Sequence, residues 1–153
     1  MTEVIRTLPD ESATAAFAAE VAAAIEGGLA IDLHGELGAG KSSFARALLQ
    51  SLGVRGRIKS PTYSLVECYP LDAGQAWHLD LYRIADPGEL EWLGLDALHE
   101  PGAVVLVEWP DRGRGAMPPS DLDLHLAYAG SGREARLRAR SDHGERLLER
   151  LAA

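Results

Sequence analysis

Asparagine is absent from this chain of 153 residues, cysteine occurs once, and lysine occurs only twice. A single cysteine, Cys68, cannot close an internal disulfide; it suits a reducing compartment and is expected to serve as a small buried hydrophobe. The opening MTEVIRTLPDE lacks the basic segment and apolar stretch of a secretory leader. No uninterrupted apolar run approaches the roughly 18 residues of a membrane span. Export by that route and membrane insertion are therefore not expected, and a cytoplasmic location is. Positive charge is also short: 15 basic against 23 acidic side chains leave a net charge of −8, which argues against broad adhesion to nucleic acid or anionic lipid. Only the tail from Arg133 onward is locally basic, with six arginines against four acids, and it reads as a solvated strand and helix face. The nine aromatic residues form no base-stacking series. The five histidines, 34, 78, 99, 125 and 143, show no ligand spacing along the chain, which argues against a zinc site.

What is present describes a folded protein. Hydrophobic residues make up 46% and charged residues 25%. A chain of this size hides about 68–70% of its unfolded surface, enough for a core without metal or disulfide staples. With no repeat, linker or low-complexity tract, a single domain spanning 1–153 is expected. Phe17, Val21 and Ile25 form a helical stripe between Asp10 and Gly28. Leu29 to Leu33 reads as a strand, followed by a glycine-rich turn and a helix from Lys41 to Leu52. Leu65 to Tyr69 and Trp77 to Tyr82 suit an antiparallel hairpin. Asp86, Pro87 and Glu89 open a short helix through Leu93. The apolar run Ala103 to Val107 has the character of a central parallel strand. Leu122 to Leu126 and Ala135 to Ala139 alternate, the second pointing Arg136, Arg138 and Arg140 to one side, before a last helix near Leu147 to Leu151. The fold class is α/β, a P-loop NTPase-like three-layer arrangement with a mixed, mainly parallel central sheet and an antiparallel hairpin.

The strongest chemical signal is Gly35-Glu36-Leu37-Gly38-Ala39-Gly40-Lys41-Ser42, a match to G-x-x-x-x-G-K-[ST]. Its glycines let main-chain N–H groups approach phosphate oxygens, and the following helix turns its unpaired amides and positive end toward the same anions. Lys41 adds a full charge, and the Ser42 hydroxyl can ligate Mg²⁺. Ser42 alone cannot hold the ion, so a strand-end acid is needed. Glu108 ends the apolar run VVLV and is assigned to the metal; Asp80, after AWHL, is the candidate to orient or deprotonate an attacking water. The reverse assignment of the two acids stays open at this point. Lys59-Ser60-Pro61-Thr62-Tyr63 has the makings of a loop that senses a γ-phosphate through Thr62. Because the chain has no asparagine, the Asn-Lys-x-Asp guanine-reading element cannot exist, and adenine is the expected base. A small-molecule kinase is the competing reading, with Arg112 and Arg114 of DRGRG as a phosphoryl-clamping lid, though no separate acceptor-binding insertion follows.

The segments GELGAGKSSFARALLQSLG, IKSPTYSLVECY, HLDLYRIADPGELEWLGLD and VVLVEWPDR, in this order, resemble the TsaE family (older name YjeE) from about Leu8 to Arg133. That family comprises bacterial ATPases required for threonylcarbamoyladenosine modification of tRNA. The resemblance implies ATP and Mg²⁺ as cofactors, with the phosphates on Leu37, Gly38, Ala39, Gly40, Lys41, Ser42 and Ser43 and the metal on Ser42 and Glu108. It implies that Asp80 supports hydrolysis, that Ser60, Pro61 and Thr62 form a switch-like loop, and that Trp109 borders the site. Glu11 and Arg133 match positions at the base end. Where the family usually follows its lysine with threonine, this chain has Ser42 and Ser43, which preserves the hydroxyl. The implied partners are TsaD and TsaB, with tRNA reached indirectly through their complex and ATP hydrolysis resetting it.

Overall fold

The computed structural model describes residues 3–61 and 64–152, with Trp92 and Leu93 described in backbone only. Seven strands, β1 (Glu3–Leu8), β2 (Leu29–His34), β3 (Val66–Leu71), β4 (Gly74–Asp80), β5 (Val104–Glu108), β6 (Leu122–Ala129) and β7 (Gly132–Ala139), form one sheet in the order β1-β7-β6-β2-β5-β4-β3. The four strands β6, β2, β5 and β4 run parallel at its centre. β7 and β1 extend one edge and β3 the other through antiparallel pairs. The mixed α/β sheet expected from the sequence is therefore present.

Helices α1 (Glu11–Ala24), α2 (Lys41–Ser51) and α3 (Asp142–Ala152) pack on one face. Period-two alternation in the strands meets helical stripes there: Ile31, Leu33, Leu106, Leu124 and Leu137 bury against Phe17, Phe44, Leu48 and Leu147. Phe17 and Phe44 meet with ring centroids 6.0 Å apart. Truncating either ring to alanine would cost about 3–5 kcal/mol. The other face is covered by three short 3₁₀ segments, Pro87–Leu93, Leu95–His99 and Pro110–Gly113, rather than by α-helices. They lie over β4 and β5, where Leu79, Val105 and Val107 pack with Leu90 and Leu98. Asp32, His34, Asp123 and His125 of β2 and β6 belong to this same face by alternation, beyond the apolar cover.

Several boundaries differ from the sequence reading. α1 begins on an Asp10 cap, whose carboxylate accepts from the Ala13 N–H at 2.9 Å. It stops at Ala24, where Ile25 is already extended, before the glycines expected to end it. β1 was not anticipated; its Val4 and Leu8 turn inward while Ile5 stays half exposed. The segment opening at Pro87 is 3₁₀, held by the Glu89 carboxylate accepting from the Ala85 and Asp86 N–H groups. Cys68 is exposed on the edge strand β3, not buried, because Tyr69 and not its neighbour takes the inward position there. Thr62, the expected γ-phosphate sensor, lies outside the described residues.

Candidate functional site

β2 ends at His34 and the chain enters the glycine-rich loop directly, so the loop is set at the carboxyl end of a central parallel strand. Gly35 has φ +150°, and a Cβ there would lie 2.5 Å from the Leu126 carbonyl oxygen, which leaves no room for any other residue. Gly40, at φ +106°, caps α2 with no side chain bonded to the helix's first amides. Glycine brings no side chain to cap the first turn of α2, whose amides stay open to an anion.

The loop's carbonyl oxygens are held from behind. Lys41 Nζ donates to the Gly35 carbonyl at 2.7 Å, and the Tyr128 hydroxyl donates to that of Leu37 at 3.1 Å. Arg133 donates through Nη2 to the Gly38 carbonyl at 3.1 Å and through Nε to that of Ala39 at 3.2 Å. Its guanidinium also lies over the Tyr128 ring, 4.2 Å from the centroid. With these acceptors engaged, and the Ala39 N–H itself donating to the Glu36 carbonyl at 3.0 Å, the other N–H groups are the main-chain groups the loop has left to offer, and they attract anions.

In front of the loop, the parallel pairing of β4 with β5 sets Asp80 beside Glu108 in register. Asp80 was expected on an antiparallel element; β4 does pair antiparallel with β3, but its other neighbour is the central strand β5. The Ser42 hydroxyl lies 3.2 Å from Glu108 Oε2 and 3.4 Å from Oε1. Adjacent oxygens of an octahedral Mg²⁺ shell with 2.0–2.1 Å bonds stand about 2.9 Å apart, so this serine and carboxylate fit the ion's donor set and spacing. No corresponding contact joins Ser42 to Asp80 among the described residues, which favours Glu108 as the metal acid.

Lys41, His78, Asp80 and Glu108 are between 2% and 9% exposed, so four titratable groups share a largely buried site. Burial pushes the Lys41 ammonium below its ordinary value, with the charges of Glu108 and Asp80 opposing. Burial pushes the Asp80 carboxyl up; the Tyr82 N–H, donating to it at 3.0 Å, opposes, and the Glu108 charge adds to the rise. A carboxylate moved upward from its usual range is better matched to accepting a proton near neutral pH.

A cavity of about 310 Å³ opens between the loop and these acids, lined by Leu37, Gly38, Lys41, Ser42, Asp80 and Glu108 among others. On the loop's other side a cavity of about 290 Å³ is lined by Glu11, Thr14, Ala39 and Arg133. The two share Gly38, Gly40 and Ser43, so they are the two ends of one groove over the loop. The structure thus brings Glu11, the loop residues Leu37 to Ser43, Asp80, Glu108 and Arg133 to one groove, whereas Ser60 and Pro61 of the expected switch-like loop line neither cavity. Arg112 and Arg114, the lid of the kinase reading, line neither: Arg112 donates to the Ile84 carbonyl and Arg114 pairs with Asp111.

Some participants were not singled out in the sequence. His78 Nε2 lies 2.7 Å from Glu108 Oε2, buried, while its Nδ1 has no partner among the described residues. Its signal was available: it precedes Asp80 by two on a strand and so shares its face. Tyr82 and Arg83 line the larger cavity, and Tyr128 comes from β6, with nothing in its local sequence to mark it. Trp109, which the family resemblance placed near the site, adopts the left-handed region at φ 57°. Its ring sits 3.8 Å from Lys41 Nζ. For a bulky residue that backbone costs about 1–3 kcal/mol, and such strain collects at working sites.

Comparison with known proteins identifies relatives over nearly the whole chain. The family model "Threonylcarbamoyl adenosine biosynthesis protein TsaE" matches residues 8–136. The tRNA threonylcarbamoyladenosine biosynthesis protein TsaE of Haemophilus influenzae is 34% identical over 97% of both chains. That of Bacillus subtilis is 34% identical over 96% of this chain and 92% of its own. Among solved structures, the crystal structure of Bacillus subtilis YdiB superposes with a TM-score of 0.81 at 28% identity, covering 99% of this chain and 96% of that one. The matched span takes in the glycine-rich loop, both strand-end acids and Arg133 beside the loop; on these grounds the chain belongs to the TsaE family.

Proposed function

We propose that the chain binds ATP with Mg²⁺ and hydrolyses it as the energy-using component of the tRNA threonylcarbamoyladenosine machinery, resetting a complex of TsaD and TsaB. The observation that carries this reading is the convergence of Ser42 and Glu108, 3.2 Å apart, at a cavity that also holds Lys41 and Asp80. Loop amides from Leu37 to Ser43 and the Lys41 ammonium hold the phosphates, for which Lys41 gives up its bond to the Gly35 carbonyl. Ser42 and Glu108 hold Mg²⁺, which when bound offsets negative charge on the phosphates. His78 fixes the Glu108 carboxylate from below. Asp80, its carboxyl raised by burial, orients a water and takes its proton. Glu11 and Arg133 border the base end of the groove. Trp109 and Tyr82, with ring centroids 5.1 Å apart, wall the phosphate end and limit water there.

Hydrolysis needs no second substrate, and this separates it from a kinase. The test is release of inorganic phosphate from MgATP with no acceptor, by the chain alone and with TsaD and TsaB, alongside the yield of modified nucleoside. Weak release alone, raised by the partners together with nucleoside yield, is expected. Absence of release in both conditions, with unchanged yield, would overturn the assignment.

A further inference from the structure

The sheet face away from the three helices carries a second polar cluster that the nucleotide reading does not use. β2 and β6 run parallel with Asp32 opposite Asp123 and His34 opposite His125. The two imidazole rings stack, centroids 4.4 Å apart and 8° from parallel. His34 Nε2 lies 3.3 Å from Asp123 Oδ1, and one ligand atom from each of His34, Asp123 and His125 falls within 4.8 Å of the others. Asp123 is only 7% exposed, and its second oxygen, Oδ2, is held by Arg140 Nη1 at 3.1 Å, which keeps Oδ1 toward the histidine. The Ser120 hydroxyl approaches the same Oδ1 at 3.4 Å.

From this geometry we propose that His34, Asp123 and His125 bind one divalent transition-metal ion of the zinc class. Tetrahedral zinc with bonds of about 2.0–2.2 Å sets its ligands about 3.3–3.5 Å apart, a spacing the His34–Asp123 pair already has. A metal lies in the plane of each imidazole it binds, so His125, on the exposed side, has to swing out of its stack on His34 and bring a ring nitrogen up to about 1.5 Å closer, a movement that rotation about χ1 and χ2 supplies. Two imidazoles and one carboxylate suit zinc, nickel or copper, whereas Mg²⁺ and Ca²⁺ ask for all-oxygen shells. Arg140 plays the part of an outer partner that orients a ligating carboxylate. The charge around the cluster is compatible with a dication: Asp32 and Asp123 face it with Arg140, and Arg136 on β7 is engaged by Glu3 and Glu134 at 3.8 Å. Arg114, paired with Asp111 at 3.2 Å, lines the same cavity as Asp32, His34 and Asp123, and Arg138, opposite Asp123 in the β6–β7 register, is a further cation on this face; both limit the affinity. Three protein ligands leave a fourth position to water. Because His34 is followed by Gly35, an ion here ties the entry of the glycine-rich loop to β6.

The test uses the full chain, stripped with EDTA and free of nucleotide, titrated with ZnCl₂ by calorimetry and with Co²⁺ by visible absorption. One ion per chain is expected, with the absorption of four-coordinate Co²⁺ and a rise in thermal midpoint on adding zinc. His125→Gln and Asp123→Asn should each weaken zinc binding about tenfold or more. The midpoint of His125→Gln in EDTA should equal that of the parent chain, which shows that it folds. Glu108→Gln guards against zinc captured by His78 and Glu108 on the opposite face, and should bind zinc as the parent does. Absence of zinc binding by the parent chain, unchanged affinity in His125→Gln, or loss of binding in Glu108→Gln alone would each overturn the proposal.

Discussion

β2 serves two polar clusters on opposite faces of one sheet, and they are built differently. On the helix face, Glu108 stands beside Leu33 with Ser42 at the start of α2 lying against its carboxylate, and the residue is 3% exposed. On the other face, Asp32 and His34 meet Asp123 and His125 where the 3₁₀ cover runs out, and His125 remains open to solvent. The first cluster joins side chains that register sets side by side on β4 and β5 to a loop and a helix that follow β2 immediately in the chain. The second is made by register alone, between strands about ninety residues apart. Side chains gathered by strand pairing are covered only where another layer extends over them, and on the helix face the contiguous loop and helix are that layer.

Substitutions on the two faces can separate these roles. The largest effect is expected for Lys41→Ala, which should weaken ATP binding by about 100-fold, equivalent to about 2.8 kcal/mol, in a fluorescent-nucleotide titration. Near-parental affinity would refute the phosphate cradle. Next comes Glu108→Gln, which should lower Mg²⁺-dependent phosphate release by about 100-fold while changing nucleotide affinity in EDTA by less than about threefold. Equal loss of both would assign Glu108 to binding instead of to the metal. Arg133→Ala frees two loop carbonyls and should weaken nucleotide binding by about tenfold, in line with about 1–2 kcal/mol for paired polar groups. An unchanged constant would show that the loop holds its shape without β7.

The smallest expected effect belongs to the other face. Burial, and then the neighbouring charge of Asp123, raise the Asp32 carboxyl to about 6, with His34 opposing. Since the folded value exceeds the unfolded one, folding favours the protonated acid. The cost of ionising it is absent below about pH 4, grows between about pH 4 and 6, and is constant above. Asp32→Asn should therefore raise the thermal midpoint by a few degrees at pH 8 in EDTA, with the gap closing at pH 4. Its nucleotide affinity should match the parent's. A gap that persists unchanged at pH 4 would mean that shape, not charge, drives the difference.

Much of the helix-face site was legible because its chemistry is local. G-x-x-x-x-G-K-S needs only the strand before it and the helix after it, and Glu108 and Asp80 stand where apolar runs end. The sequence put Glu108 ahead of Asp80 as the partner of Ser42 but left the reverse open, because the contact of Ser42 with Glu108 spans 66 residues and is set by tertiary structure. Tyr128 and Arg133 behind the loop, and the His34–His125 stack, depend on which strands become neighbours. The histidines' spacing along the chain argued against a metal cluster, yet linear spacing does not constrain a pair brought together by parallel register. Cys68 was misplaced for a related reason: which face of β3 turns inward is set by the layer packed against it.

By itself the sequence determined the glycine-rich turn, the alternation of strands and helices, and the supply of strand-end acids, since each follows from backbone freedom, hydrophobic period or charge within a few residues. Tertiary structure decided which acid meets the serine, which side chains brace the loop, and what collects on the uncovered face. Those outcomes depend on strand order and register, and the free energy that fixes them comes from burial shared across the whole sheet.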